Sequence, residues 1–369
     1  MRGASRWARR RVNGWVLLSL LVAAGAVFAL VRVVVITGPS CTPSFGSYGA
    51  KVRPPGCWRP YSDQSPFNRP LPLHPVLSTH SSAIVARLIS FGRAQNLLAG
   101  TAGRGELDGG RPIYFSSPGD APYTLHCTEH WGRCALEGLR VAVPAAAQPA
   151  GGSDAHLTVI DQRSGWEYDL WGVSSKPARG GKLVFRWGGR TRVNGDGLGS
   201  AAVAAGYATA AGVLRAEELS SGEIRHALFL GVKCDSGHFV YPARAVGESC
   251  SSLGLPNRNA PAMGRRFQLA MSDAQIAALS MPAWKKTILR AMAHYGMFVG
   301  DTGGSWGLGQ ESSVVYTSFG QPDAWVTLAR RWQVPYYAPD RDYVFDLNDG
   351  VDWARYLRVV APCVSQGTC

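Results

Sequence analysis

The sequence predicts a mainly β protein: an antiparallel β-sandwich or jelly roll with two or three short helices, preceded by an N-terminal transmembrane helix. The 369 residues include 44 glycines and 23 prolines, a composition that favours many turns and short strands. Short apolar or alternating segments between those turns outnumber the helical segments. No internal repeat has the period of a propeller or a solenoid.

In the first half of the chain, residues 81–96 have helical spacing, with Ile84, Leu88 and Phe91 on one face. A hairpin is predicted from residues 156–161 and 166–171, joined by a turn that ends at Gly165. Single strands are predicted at residues 112–116, 139–143 and 183–187. Residues 195–212 are rich in Gly and Ala, so they predict a short helix or a loop packed beneath a cleft.

The second half centres on residues 220–232, a Ser-Ser-Gly turn followed by Glu223, Arg225, His226 and a branched apolar run. This pattern predicts a strand over residues 223–232. Further strands are predicted at residues 238–242, 265–271, 297–299 and 305–308. Helices are predicted after Ser272-Asp273 and from Pro282 to residue 295, with Gly296 at the C-terminal end.

The N-terminus carries five arginines in residues 1–14 and then a largely apolar segment, residues 15–36, interrupted only by Arg32. This segment is long enough to span a bilayer, and the basic flank predicts that the remainder lies outside the cytoplasm. The alternative is a cleaved signal peptide with small residues at 24–26 as the processing site. The predicted divisions are a cytoplasmic tail (1–14), an anchor (15–36), a Pro-rich arm (37–80), the β-sandwich domain (81–312) and a C-terminal extension packed on it (313–369).

Eight cysteines lie beyond the apolar segment, and their even number in an extracytoplasmic chain predicts disulfides. They fall into sequence-local pairs. The simplest connectivity is 41–57, 127–134, 234–250 and 363–369; the alternative is that the first and last pairs cross. No C-x-x-C motif occurs, so the cysteines do not predict a zinc site.

The formal net charge of +13 overstates the basicity of the exported part. Six of the 38 basic residues and none of the 25 acidic residues lie in residues 1–36, which leaves +7 for the rest. This excess is consistent with an acidic envelope polymer or simply with solubility. No basic helix or aromatic–basic alternation predicts nucleic-acid binding.

Several segments carry a resemblance. The most specific are Gly-Glu-Ile-Arg-His-Ala at 222–227 and Tyr-Gly-Met at 295–297. Others lie at residues 65–68, 156–161, 167–170, 241–243 and 261–267. In these segments the chain resembles a largely uncharacterised family of secreted bacterial proteins with a predicted jelly-roll core. The resemblance implies a fold and a secreted location, and no activity. The chain departs from the family pattern in its membrane anchor, its extra cysteines and its tail after Ser312.

The candidate catalytic residues are acids and histidines at strand ends. Hydrolysis of a glycosidic bond needs two carboxyl groups across that bond, one protonated and one ionised. The candidates are Glu223, Asp169, Asp301, His226 and His156. Each candidate also has a purely structural alternative. These alternatives are a Glu223–Arg225 ion pair, a solvated strand face around Asp169, a turn cap at Asp301 and hydrogen-bonded histidines.

The candidate substrate-binding residues are Trp171, Trp306, Arg225 and Tyr295. An indole ring stacks on the C–H faces of a sugar while a nearby carboxylate accepts bonds from its hydroxyls. For Tyr295 the alternative is a place in the core. The spacing of His and Glu contains no metal motif, so we expect neither a metal nor another cofactor.

Two functions remain open from the sequence. The first is a membrane-anchored, single-pass extracytoplasmic glycoside hydrolase that acts on an envelope or environmental polysaccharide. The second is a glycan-binding or cell-envelope structural module without catalysis. Both assume a polysaccharide partner and membrane attachment through the N-terminal helix. The enzyme hypothesis also requires that the neighbourhoods of residues 156, 169, 223 and 301 converge on one concave surface.

Overall fold

A computed structural model describes residues 41–72 and 74–369, so the predicted cytoplasmic tail and the predicted anchor lie outside the described residues. Residues 41–369 form one compact unit. None of the helices in the described ranges is both long and apolar enough to cross a bilayer. The protein is mostly β, as predicted, and its strands form several sheets.

The elements follow one another along the chain in short segments. The strands are β1 (Leu97–Ala99), β2 (Ile113–Ser116), β3 (Pro122–Cys127), β4 (Arg140–Ala142), β5 (Leu157–Asp161), β6 (Trp166–Trp171), β7 (Gly181–Phe185), β8 (Trp187–Arg192), β9 (Leu228–Val232), β10 (Arg266–Leu269), β11 (Met297–Thr302), β12 (Trp306–Leu308), β13 (Tyr336–Tyr337), β14 (Asp342–Phe345) and β15 (Leu357–Val360). The α-helices are α1 (Ser81–Ser90), α2 (Ala216–Ser221), α3 (Asp273–Ala278), α4 (Ala283–His294), α5 (Val314–Thr317), α6 (Ala324–Arg331), α7 (Trp353–Tyr356) and α8 (Pro362–Gln366).

Two sheets position the candidate site. The larger has the order β12-β9-β11-β10-β15 and the smaller has the order β2-β5-β6-β8. The remaining sheets, β1-β14-β13 and β4-β3-β7, lie outside this pair. Because β15 pairs with β10, the C-terminal residues extend the larger sheet and are an integral part of it.

The prediction of purely antiparallel pairing was wrong. Three pairs are parallel: β9 with β11, β2 with β5, and β3 with β7. Parallel neighbours need a long crossover connection, and residues 233–296 supply one between β9 and β11. The Gly and Pro turns that flank each strand predict local hairpins, so they carry no signal for such distant partners.

Several local predictions are confirmed. The hairpin is formed by β5 and β6, with Leu157 opposite Leu170. Ser272 caps α3 through a bond from the Gln275 backbone N–H, and α4 begins directly after Pro282. The four disulfides join the predicted sequence-local pairs, which are Cys41–Cys57, Cys127–Cys134, Cys234–Cys250 and Cys363–Cys369.

Other element boundaries differ from the prediction. The strand expected over residues 223–232 begins only at Leu228, because the polar residues before it lie in an irregular segment that follows α2. The expected strand at 238–242 is reduced to a single bridge between Phe239 and Met263. Strand β8 was not predicted, since Gly188 and Gly189 weaken its strand pattern.

A buried ionic network joins the N-terminal arm to α2. The Arg215 guanidinium contacts Glu218 at 3.1 Å and donates to the Trp58 carbonyl at 2.6 Å. His226 Nε2 lies 2.9 Å from Glu218 Oε1. Burial raises the pKa of Glu218, but the positive charge of Arg215 and the contact with His226 outweigh burial, so the pKa lies below its ordinary value. This network makes His226 a structural residue.

A second group of buried charges lies beside the first. Arg53 pairs with Glu311 and, at 3.4 Å, with Glu217. The Tyr316 hydroxyl donates to Glu217 at 2.9 Å. Burial raises the pKa of Glu311 to about 7, against the opposing charge of Arg53. The arm is therefore fixed to the domain by buried charged contacts, while the Cys41–Cys57 disulfide closes a loop within the arm itself.

Replacement of Arg215 by Met tests how much the buried network stabilises the fold. Arg215→Met leaves Glu218 buried without its cation, so we expect the free energy of unfolding to fall by about 3–5 kcal/mol. The matched control is Arg225→Met, because Arg225 pairs with an exposed Glu223 at 2.8 Å. We expect the control to cost less than about 1 kcal/mol. Urea denaturation of both variants checks this, and equal losses would contradict the assignment of Arg215 as a structural anchor.

Candidate functional site

The candidate site is a cleft formed by two adjoining cavities that meet at Asp301. One, of about 590 Å³, is the tryptophan cavity, named for Trp131, Trp171 and Trp187 in its wall. The other, of about 530 Å³, is the glycine cavity, whose wall contains Gly109, Gly231, Gly303 and Gly307. Asp154, Asp301 and Thr302 line both cavities. The shared residues indicate that the cavities are two halves of one cleft.

Asp301 reaches the cleft because of a bulge in β11. The pairing of β11 with β9 shifts register between Val299 and Asp301, so that Asp301 lies beside Gly231 and Gly300 is the extra residue. The backbone N–H of Thr302 donates to Asp301 Oδ1 at 2.9 Å. The side chain remains 30% exposed, which leaves the carboxyl accessible from the cleft.

Arg111 lies under Asp301 and is buried. Its Nη2 is 3.3 Å from Asp301 Oδ2, and its guanidinium stacks on Phe229 with 3.6 Å between Cζ and the ring centroid. Burial lowers the pKa of Arg111, and the negative charge of Asp301 opposes that shift. Burial raises the pKa of Asp301, although Arg111 favours its ionised form. A carboxyl with a raised pKa is suited to donate a proton.

His156 lines the tryptophan cavity at the start of β5. Burial, followed by the positive charge of Arg111, lowers its pKa to about 4. The imidazole is therefore neutral at neutral pH. Its buried Nδ1 has no hydrogen-bond partner in the described part of the chain. A neutral imidazole positions neighbouring groups without adding charge to the cleft.

The aromatic wall of the cleft is built from three tryptophans. Trp171 and Trp187 face each other across β6 and β8, and Trp131 stacks on Trp171 with ring centroids 5.7 Å apart. Trp131 is 65% exposed and lies in the loop closed by the Cys127–Cys134 disulfide. The Trp171 Nε1–H donates to Asp154 Oδ1 at 2.9 Å. An exposed indole surface beside an oriented carboxylate is an arrangement that suits a sugar ring.

Asp169 does not face the open cleft, since it is fully buried next to Glu167 on β6. Thr158 donates to Asp169 at 2.9 Å, while Tyr61 donates to Glu167 at 2.7 Å. Burial raises the pKa of both acids, and the nearby charge of Asp169 raises that of Glu167 further. Two buried carboxyls that repel each other hold a proton between them.

The Gly/Ala-rich segment covers this acid pair, as a loop rather than a helix. A Cβ on Gly189 would lie only 2.6 Å from the Ala201 nitrogen, so the absence of a side chain lets the loop approach β8 closely. Residues 199–204 of the loop then line the tryptophan cavity. The prediction of a loop beneath the cleft therefore describes its position well.

Three of the predicted site residues lie away from the cleft. Glu223 and Arg225 pair with each other near the surface, and Glu223 is 57% exposed. His226 is held by Glu218, as described above. Since β9 begins after these residues, their side chains do not follow the strand into the site. The structural alternatives stated for Glu223 and His226 describe their actual contacts.

Two predicted binding residues lie in or near the core. Trp306 is only 2% exposed, donates its Nε1–H to the Gly92 carbonyl and packs edge-on against Trp353, so no sugar ring can stack on it. Tyr295 is half-buried at the end of α4 and lines neither half of the cleft. Of the residues predicted from the sequence, the structure brings together His156, Trp171 and Asp301.

Sequence reasoning missed four cleft residues: Arg111, Asp154, Trp131 and Trp187. Arg111 and Asp154 lie in loops, where no periodicity indicates which way a side chain points. Trp131 had one usable signal, because it is an aromatic residue between two cysteines only seven positions apart in the sequence. Trp187 lies on β8, which was not predicted because its glycines weaken the strand pattern.

Within residues 41–72 and 74–369, no group of three or more His, Cys, Asp and Glu side chains is arranged to hold a metal ion. The side chains that line the cleft include carboxyl groups, a guanidinium, an imidazole and indole rings. No protein-family model, curated protein or solved structure matches the chain. The resemblance to a family of secreted bacterial proteins stays a prediction.

Replacement of Glu167 by Gln tests the buried acid pair. A raised native pKa means that the folded protein keeps a proton which the unfolded chain releases above its ordinary carboxyl pKa. The free energy of unfolding then falls as the pH rises from the ordinary carboxyl pKa towards the raised pKa of the folded protein. The fall is about 1.4 kcal/mol per pH unit for one such group. We expect Glu167→Gln to make the free energy of unfolding decline less steeply with pH, because the glutamine does not titrate.

The measurement is the free energy of unfolding from urea titrations at pH 5, 6, 7 and 8. Glu223→Gln serves as the control, because Glu223 is exposed and the variant should retain the wild-type slope. If Glu167→Gln follows the wild-type pH dependence, the two buried carboxyls do not hold a proton together.

Proposed function

We propose that the protein is a membrane-anchored extracytoplasmic glycoside hydrolase that acts on a polysaccharide. One observation carries the proposal. Three tryptophans and two carboxyl groups, Asp154 and Asp301, line the same cavity. Aromatic platforms beside paired carboxyls match the needs of glycan binding and of glycosidic hydrolysis.

Asp301 is the proposed general acid. Burial shifts its pKa upward, the direction that suits a general acid, and in the proposed step a proton passes from the carboxyl to the glycosidic oxygen as the C–O bond breaks. Asp154 is the proposed base. The Trp171 Nε1–H donates a hydrogen bond to Asp154 Oδ1 at 2.9 Å, and this bond orients the carboxylate. Asp154 takes a proton from the water whose oxygen adds to the sugar carbon. The products are two shorter glycans, with the water divided between them.

Arg111 and His156 are proposed as positioning residues. Arg111 Nη2 lies 3.3 Å from Asp301 Oδ2 and orients the carboxyl group. After Asp301 has lost its proton, the positive charge of Arg111 stabilises the carboxylate. His156 is neutral, so it supports the cleft wall without competing for the proton. Neither residue needs to touch the scissile bond in this scheme.

The second candidate is a glycan-binding module without hydrolysis. The observation that favours it is the Arg111–Asp301 contact, which stabilises an ionised Asp301 and so opposes its use as an acid. In this case the tryptophans and carboxylates bind the polymer and no bond is broken. Turnover separates the two candidates.

The proposed location rests on the N-terminal sequence and the disulfides. Residues 15–36 are an apolar segment behind an arginine-rich flank. All eight cysteines are paired, a pattern typical of chains outside the cytoplasm. We propose a single-pass anchor with residues 37–369 outside.

The test is binding and cleavage of N-acetylchitohexaose, cellohexaose, laminarihexaose and peptidoglycan strands. We expect at least one to bind and to release shorter chains. Asp301→Asn should lower the rate of cleavage about 100-fold or more and preserve binding. Trp131→Ala should weaken binding about tenfold.

The control variants are Asp63→Asn and Phe239→Ala, since both side chains are exposed and neither lines the cleft. Both should behave as the wild type. Binding without cleavage, unchanged by Asp301→Asn, would support the non-catalytic candidate. The absence of binding to every glycan would contradict both.

A further inference from the structure

The glycine cavity lies on the other side of Asp301 from the tryptophans and has no role in the function proposed above. Each cavity has the size of a small-ligand site. Because Asp154 and Asp301 line both, a linear ligand that passes these carboxyls occupies both halves. The cleft therefore continues past the proposed reactive groups instead of ending at them.

The floor of the glycine cavity is open because of one row of residues across the larger sheet. Gly231 on β9 lies between Asp301 on β11 and Gly307 on β12. Phe229 shares the face of β9 with Gly231, and its ring fills the space under Arg111. A Cβ on Gly231 would have only the Gly307 carbonyl nearby, at 3.9 Å. The space above Gly231 exists because no side chain occupies it.

Gly231 does not have a positive φ, so the backbone at this position accepts other residues. The same holds for Gly109 on the opposite, exposed wall, where a Cβ would meet only the Glu106 carbonyl at 4.0 Å. Neither glycine is therefore required by its backbone conformation. Both line the glycine cavity, and at neither position would a Cβ meet a non-neighbouring atom closer than 3.9 Å.

The walls of the glycine cavity carry hydrogen-bonding groups and little exposed aromatic surface. Its acids include Glu106, Asp154 and Asp301, and among the described residues that line it the one cation is Arg111, whose Nη2 pairs with Asp301. Like charges would repel a uronate-containing chain. Neutral sugars, whose hydroxyls bond to amides and carboxylates, suit this wall.

We propose that the glycine cavity binds the sugar units on the far side of the bond that Asp301 would break. The protein then acts inside a neutral polysaccharide chain rather than at its end. The tryptophan cavity stacks one part of the chain, and the glycine cavity accepts the continuation. This inference rests on the proposed glycan-binding function.

The test compares a short and a long neutral glycan on the full chain. Cellobiose with cellohexaose, and N,N′-diacetylchitobiose with N-acetylchitohexaose, are titrated by calorimetry, and the chain lengths of any products are measured. We expect the hexasaccharide to bind about tenfold or more tightly than the disaccharide of the same series. Cleavage products of intermediate length should come first.

Two variants are designed to obstruct the glycine cavity, and a third variant is their control. Gly231→Phe and Gly109→Phe should abolish the tighter binding of the hexasaccharide relative to the disaccharide. Gly119→Phe places the same ring on an exposed loop glycine with open space around it and without a positive φ, so it should retain the advantage. Trp131→Ala should weaken binding at both lengths. Gly109 lies on an exposed loop, so its variant remains informative if Gly231→Phe fails to fold.

The outcomes separate this inference from the function on which it rests. If neither disaccharide nor hexasaccharide binds the wild type in either series, the proposed function and the inference both fail. If both lengths bind equally, or if both obstructing variants keep the hexasaccharide advantage, the inference is overturned and glycan binding stands.

Discussion

The buried guanidinium of Arg111 is the interaction on which the arrangement of the cleft depends. Transfer of a cation from water into a protein costs several kcal/mol unless a partner compensates. Arg111 has two compensating contacts, the Asp301 carboxyl at 3.3 Å and the face of Phe229 at 3.6 Å. The backbone N–H of Arg111 also donates to the Gln310 carbonyl at 2.8 Å. The charge is thus fixed at the point where the two cavities meet.

The buried charges elsewhere in the domain form a contrast. Arg215, Glu218 and His226 satisfy one another inside the protein, and their contacts hold the arm to the domain. The Arg111–Asp301 pair is different, because one partner remains partly exposed to a cavity. A charge pair that is satisfied on all sides stabilises a fold, whereas a half-exposed pair remains available to a ligand. This distinction separates the structural His226 from the cleft residues.

Local features of the fold were predictable from the sequence. The β5–β6 hairpin, the Ser272 cap and the four disulfides depend on residues that are near one another in the chain. Of the four neighbourhoods expected to converge, those of residues 156 and 301 meet in the cleft, whereas Asp169 is buried and Glu223 lies near the surface. The remaining strand pairings join residues that are distant in the sequence. The parallel pairing of β9 with β11 and the bulge at Gly300 have no local pattern, yet they place Asp301 beside Gly231.

The failures in the candidate site have the same origin. Glu223, Arg225 and His226 were assigned to a strand that begins only after them, so the expected alternation of faces did not apply. Arg111 and Asp154 lie in loops, where the chain path alone determines their neighbours. Glycine at 231 carries no chemical signal in a sequence; its role depends on what surrounds the space it leaves.

A crystal structure of the Asp301→Asn variant with cellohexaose or N-acetylchitohexaose tests the proposed glycan site most directly. We expect continuous sugar density that packs on Trp131 and Trp171, passes residue 301 and continues over Gly231. Density confined to a surface away from residue 301 would contradict the central claim that this cleft is the site of glycan binding.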